Sequence, residues 1–104
     1  IIGAGTYADN KACAVSATGD GEYFIRATAA RDICVLIEHK GLDAAQAGDE
    51  VLNGRVKPLG GTGGVIVIDR DCNIALPYNT GLMARGLVRE GEAVHVGLYE
   101  EDGE

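Results

Sequence analysis

Thr18-Gly19-Asp20-Gly21-Glu22 is the segment of this chain best suited to chemistry. Glycines at a strand-to-helix turn leave backbone N–H groups without intrahelical partners, and those donors can hold an anion. The same donors can stabilise an oxyanion developing on a reacting carbonyl, an effect of about 3–4 kcal/mol per donor. The Thr18 hydroxyl is a second candidate donor beside the Gly19 N–H. Asp20 and Glu22 would repel a phosphate, and no lysine or arginine of P-loop spacing accompanies the glycines. A neutral amide or a zwitterion fits the turn better. An ordinary Gly-rich turn with helix-favouring acids in its first turn is the alternative reading of the same residues.

Leu59-Gly60-Gly61-Thr62-Gly63-Gly64, ahead of an apolar run, can line a pocket by close backbone approach or serve simply as a loop. His39 and His95 have no ligand spacing with the cysteines, so neither a metal site nor a cofactor is expected. Ser16 lies inside a strand pattern, away from any nucleophile-elbow context. No set of nucleophile, base and orienting group can be assembled from these residues. Cys13, Cys34 and Cys72 are an odd, widely spaced set without a CxxC pair. Free thiols in a reducing cytoplasm fit them better than a disulfide framework, with one disulfide left open.

The elements that would position the turn can be read from periodicity. Ala12 to Ala17 reads as a short buried strand. Tyr23 to Lys40 reads as one helix, with Tyr23, Ala27, Ala30, Cys34 and Ile37 on a single stripe and Gly41 as its stop. Asp43 and Gln46 resemble a capping box opening a second helix to about Val56. Val65-Ile66-Val67-Ile68 is a β-branched strand. Asp69 to Asn73 turns into another strand, Ile74 to Leu76. Val94 to Tyr99 is a further strand, followed by an acidic tail, Glu100 to Glu104. This order predicts an α+β fold, a mostly antiparallel sheet with two helices on one face. A buried β-branched run needs cover on both faces, so a partner chain is expected to complete the sheet.

Length and charge narrow the classes. The chain has 104 residues and a net charge of −7, so it is one domain or less, and its acidity disfavours a nucleic-acid partner. With 46% hydrophobic and 24% charged residues it is globular in composition. Its apolar runs, such as Cys34 to Ile37 and Val65 to Ile68, are far short of a membrane span. Ile1-Ile2-Gly3-Ala4-Gly5 has neither the basic region nor the apolar core of a secretory leader. Without an initiator Met, the chain is expected to be a processed product or a fragment.

Several ordered motifs together resemble the β subunit of plant-type L-asparaginases and isoaspartyl peptidases. They are Ile2 to Asn10, Ala14 to Glu22, the Leu59 to Gly64 run followed by Val65-Ile66-Val67-Ile68-Asp69, and Asn73 to Thr80, covering about residues 1 to 80. The resemblance implies a threonine-type N-terminal nucleophile hydrolase built as a four-layer αββα sandwich from two αβ heterodimers. In that family a precursor cleaves itself to expose a threonine, which attacks the side-chain amide of asparagine or of a β-aspartyl peptide, its α-amine acting as base. Water then releases aspartate from the acyl-enzyme. Carried over, Thr18 and Gly19 match the oxyanion hole, and Gly21 matches a position that helps hold the substrate's α-amino or α-carboxylate group.

The chain also departs from that pattern. Ile1 carries no hydroxyl or thiol, and Thr6 and Thr18 are internal. The expected organisation is therefore a single incomplete domain over residues 1 to 104, the C-terminal portion of a β subunit. The nucleophile would lie on another segment, and the chain alone would be inactive. Implied partners are a small substrate, the α subunit and the amino-terminal β segment, in a cytoplasmic dimer of αβ heterodimers. Gly81-Leu82-Met83 lacks an acidic residue expected there, and residues 84 to 104 match only loosely. The alternatives are a catalytically silent assembly module of the same fold and a glycosylasparaginase-like hydrolase. Gly19→Pro, which removes the N–H donor, is the substitution this reading first offers as a test.

Overall fold

Alternation along two neighbouring strands sets the layering of the molecule. In the computed structural model, which describes residues 1–98, β2 (Cys13–Gly19) turns Cys13 and Val15 inward and leaves Ala14 and Ser16 exposed. Along β3 (Gly63–Asp69), Val65, Val67 and Asp69 are buried. On its other face Ile66 and Ile68 remain 49% and 47% exposed. The two strands pair antiparallel from Cys13↔Asp69 to Gly19↔Gly63. β1 (Thr6–Asp9) adds to the outer edge of β2, and β4 (Ile74–Ala75) to that of β3, giving the antiparallel order β1-β2-β3-β4. β5 (Arg85–Leu87) and β6 (His95–Gly97) form a separate two-stranded ribbon. The short β1 and β5 carry no alternating apolar signal and were not expected. The Val94 to Tyr99 strand shortens to β6, and Tyr99 and the acidic tail lie outside the described residues.

All helices lie on the Val15, Val65 and Val67 side, where they close one core. The expected helix from Tyr23 to Lys40 is two: α1 (Gly21–Ala27) and α2 (Ala29–Lys40). Thr28 separates them in a left-handed conformation, φ 45°, a strained backbone for a β-branched residue. The break frees two N–H donors at the start of α2. Ala30 N–H donates to the Ala4 carbonyl at 3.0 Å and Arg31 N–H to the Gly3 carbonyl at 2.9 Å. The apolar stripe runs in phase across the break, so periodicity alone does not reveal it.

The capping box is present as read: Asp43 accepts from Gln46 N–H at 2.8 Å, and Gln46 Oε1 accepts from Asp43 N–H at 3.0 Å. The helix it opens, α3 (Ala44–Val51), widens into a π-helical turn over Leu52–Val56 and then a 3₁₀ turn over Lys57–Leu59. Leu36, Ile37, Val51, Leu52 and Val56 fill the core beneath these helices.

The expectation of free cysteines is corrected for two of the three. Cys13 on β2 and Cys34 on α2 form a disulfide, while Cys72 is free and exposed. The two partners lie 21 positions apart on different elements, so spacing alone could not pair them. No helix among the described residues is long and apolar enough to cross a membrane.

Candidate active site

The end of β2 and the start of β3 meet glycine against glycine. Gly19 has φ +135°, and a Cβ there would stand 2.3 Å from the Thr62 carbonyl oxygen and 2.5 Å from Gly63 Cα. A Cβ at Gly63 would stand 2.3 Å from the Thr18 carbonyl oxygen and 2.8 Å from Phe24 Cζ. The second glycine cluster therefore exists for close backbone approach, and it presses on the turn that carries Thr18 and Gly19. Asn79 holds it from the far side, accepting from Gly63 N–H at 2.7 Å and donating to the Gly61 carbonyl at 3.4 Å.

The turn's amides divide into two groups. Asp20 N–H donates to the Thr62 carbonyl at 3.0 Å and Tyr23 N–H to the Asp20 carbonyl at 3.0 Å. Both are consumed within the fold. Residues of an antiparallel strand bond alternately to its two neighbours. Ala17 N–H bonds to Gly5 on the β1 side, so Gly19, two residues on, also faces that side. β1 pairing with β2 begins only at Thr6↔Ser16, and Gly19 N–H emerges beyond the Ala17–Gly5 bond. There a pocket of about 210 Å³ opens, lined by Ile1, Ala4, Gly5, Thr18, Gly19 and Gly21 among others. Thr18 is exposed, and its hydroxyl makes no hydrogen bond among the described residues. It also borders a second cavity of about 310 Å³ on the open sheet face, shared with Ser16, Ile66, Met83 and Arg85. The three residues singled out in the sequence, Thr18, Gly19 and Gly21, thus surround one pocket. The amides of Asp20 and Tyr23, at the same bend, do not contribute.

Two side chains with structural roles, one at this turn and one at the far end of β3, were not assigned them from sequence. Asp20 occupies the N-cap position of α1 yet caps nothing with its side chain. Its Oδ2 instead accepts from Thr62 N–H and Thr62 Oγ1, each at 3.0 Å. Asp69, read as part of a hairpin turn, is a buried hub. It accepts from Asn73 N–H, Asn73 Nδ2, Asp71 N–H and Ala44 N–H at 2.9–3.1 Å. Burial pushes its carboxyl up, but the bonds from Asn73, Ala44 and Asp71 outweigh that and hold it below the usual 3.8. The Asp69-x-Asp71-x-Asn73 pattern of turn formers was the available signal. No group of three or more His, Cys, Asp or Glu side chains among the described residues could hold a metal ion.

A family model described as asparaginase matches residues 1–98, and the chain belongs to that family, whose α+β fold is of the N-terminal nucleophile hydrolase type. The isoaspartyl peptidase of Escherichia coli (strain K12) is 46% identical over 104 residues, covering 100% of this chain and 32% of that protein. The isoaspartyl peptidase of Salmonella typhimurium is 45% identical over 101 residues, 97% of this chain and 32% of its own length. A probable isoaspartyl peptidase/L-asparaginase 2 of Arabidopsis thaliana is 39% identical over 100 residues, 96% of this chain and 30% of its own. The chain therefore spans about a third of the length of the curated relatives it matches.

Proposed function

We propose that this chain is the C-terminal part of the β subunit of a threonine-type amidohydrolase acting on L-asparagine, β-aspartyl (isoaspartyl) peptides, or both. The observation that carries the proposal is the Gly19 N–H, turned out of the β2–β3 ladder beside a pocket bordered by Thr18 and Gly21. In this reading a threonine outside the chain attacks the side-chain amide carbon. The carbonyl oxygen takes up negative charge, and the Gly19 N–H and Thr18 hydroxyl stabilise it in a site that needs no rearrangement. Collapse of the tetrahedral species expels the amine, and water releases aspartate from the threonine ester. Gly21, where nothing lies within 4 Å of an added Cβ, leaves room for the substrate's charged end.

The rest of the machine follows from the same reading. The amino-terminal β segment supplies the nucleophile and, with the α subunit, covers the open face bearing Ile66 and Ile68, in a dimer of αβ heterodimers formed after self-cleavage. No cofactor is required. A cytoplasmic setting is compatible with this scheme if the Cys13–Cys34 bond persists there, and the burial of both residues shields it from reductants. The exposed sheet face also supports the silent assembly module as a second reading, since it would serve assembly without turnover.

Gly19→Pro is a poor test, because φ +135° at that position excludes proline on backbone grounds. The test is the full-length protein containing this chain, assayed for ammonia from L-asparagine and for aspartate from a β-aspartyl dipeptide. Turnover that Thr18→Val depresses supports the hydrolase. An assembled, self-cleaved protein without turnover on either substrate selects the silent module.

A further inference from the structure

We infer that Asp20 is a positioning residue, clamping the Gly-rich loop through Thr62 so that the Gly19 N–H stays aimed at the pocket; this rests on the proposed function above. Three hydrogen bonds join this one pair. Asp20 N–H donates to the Thr62 carbonyl, while Asp20 Oδ2 accepts from both the N–H and the hydroxyl of Thr62, all at 3.0 Å. An aspartate at an N-cap ordinarily accepts from the helix's own second or third N–H. Asp20 forgoes that bond and reaches 42 positions along the chain to the loop.

The position of the clamp explains its use. Gly19 lies between two pairs that bond toward β3: Thr18 opposite Gly64 in the ladder, and Asp20 with Thr62. Holding both flanks fixes the torsions of the glycine between them. Without the second pair, a glycine at φ +135° is free to swing, because it pays no steric cost for other conformations. Charge supplies a second reason. A loose carboxylate one residue from the Gly19 N–H would oppose negative charge developing there. Two donors from Thr62 draw Oδ2 onto the loop, and charge-assisted bonds of this kind are the stronger ones.

The experiment uses the full-length protein, with Asp20→Ala, Thr62→Val, the double variant and Thr62→Ser. Asp20→Ala and Thr62→Val are each expected to lower kcat roughly tenfold, as a displaced donor does, with KM within twofold of wild type. The double variant should be no worse than about the poorer single one, and Thr62→Ser, which keeps the hydroxyl, should recover most of the loss. A merely structural contact would lower thermal stability without this split between kcat and KM. Wild-type kcat in Thr62→Val, or a loss in Thr62→Ser as large as in Thr62→Val, overturns the clamp while leaving the hydrolase intact. If Asp20→Ala does not fold, the Thr62 pair alone decides. A wild-type protein inactive on both substrates instead removes the proposed function, and with it the catalytic meaning of the clamp.

Discussion

Asp69 Oδ2 accepts the N–H of Ala44 at 3.1 Å, tying the turn after β3 to the first turn of α3 across 25 positions of sequence. Both residues are buried. The carboxylate therefore does for α3 what its own N-cap, Asp43, does from the other side. Asp69→Ala leaves the N–H groups of Ala44, Asp71 and Asn73 without this acceptor, at a cost of about 3 kcal/mol. A fall in the urea midpoint equal to that loss divided by the slope, with the slope unchanged, is the expected result.

The same carboxyl gives the stability a sign in pH. Its folded pKa lies below the usual 3.8, so folding favours the charged form. That contribution is complete above pH 3.8 and is lost as the pH falls through the lower, folded value. Asp69→Asn should flatten this part of the acid limb. Chemical denaturation at pH 6 and pH 3 checks it, and an unaltered acid limb in the variant would count against the hub.

The Cys13–Cys34 bond closes a loop of 21 positions between β2 and α2. Cross-links of that span restrict the unfolded chain by about 3 kcal/mol. The Cys13→Ala/Cys34→Ala double variant should lose stability of that order. Because both residues are buried, reductant alone should act slowly on the native protein and quickly in denaturant. Thiol titration over time distinguishes the two rates.

Two glycines test the close approach at the end of β2. Gly63→Ala forces a Cβ to 2.3 Å from the Thr18 carbonyl oxygen, whereas at Gly54 nothing lies within 4 Å. Gly63→Ala should destabilise by about 2 kcal/mol or more, and Gly54→Ala should be neutral or stabilising by up to about 1 kcal/mol. Equal thermal shifts in the two variants would contradict the packing described.

At the pocket, Thr18→Val keeps the shape of the side chain and removes its hydroxyl. In the full-length protein kcat should fall roughly 10²-fold, the usual effect of losing one oxyanion donor. Gly21→Ala should fold, since its Cβ meets open space, and should raise KM by crowding the pocket. Steady-state kinetics on L-asparagine separates these effects.

The sheet's central strands, the capping box and the strand-to-helix bend at Gly19 were legible because each is written locally. β-branched alternation, a three-residue Asp–Gln spacing and glycines at a strand end all act over a few residues. The break at Thr28 was not legible, since the carbonyls that take up its freed donors, those of Gly3 and Ala4, lie more than twenty positions upstream. The disulfide was hidden for a similar reason: Cys13 and Cys34 become neighbours only when α2 packs on β2. The Asp20–Thr62 contact escaped too, because an aspartate at a helix start has an ordinary local explanation and here declines it. What sequence could not supply were partners set by tertiary approach, where propensity and spacing carry no information.

The broken helix has a bearing on how the amino-terminal stretch behaves. Because α2 begins by grasping the carbonyls of Gly3 and Ala4, Ile1 is moored at the rim of the Thr18–Gly19 hollow, which it helps to wall. Any residues upstream of Ile1 would set out from that rim. Helix and amino-terminal stretch are thereby fastened to each other by two hydrogen bonds.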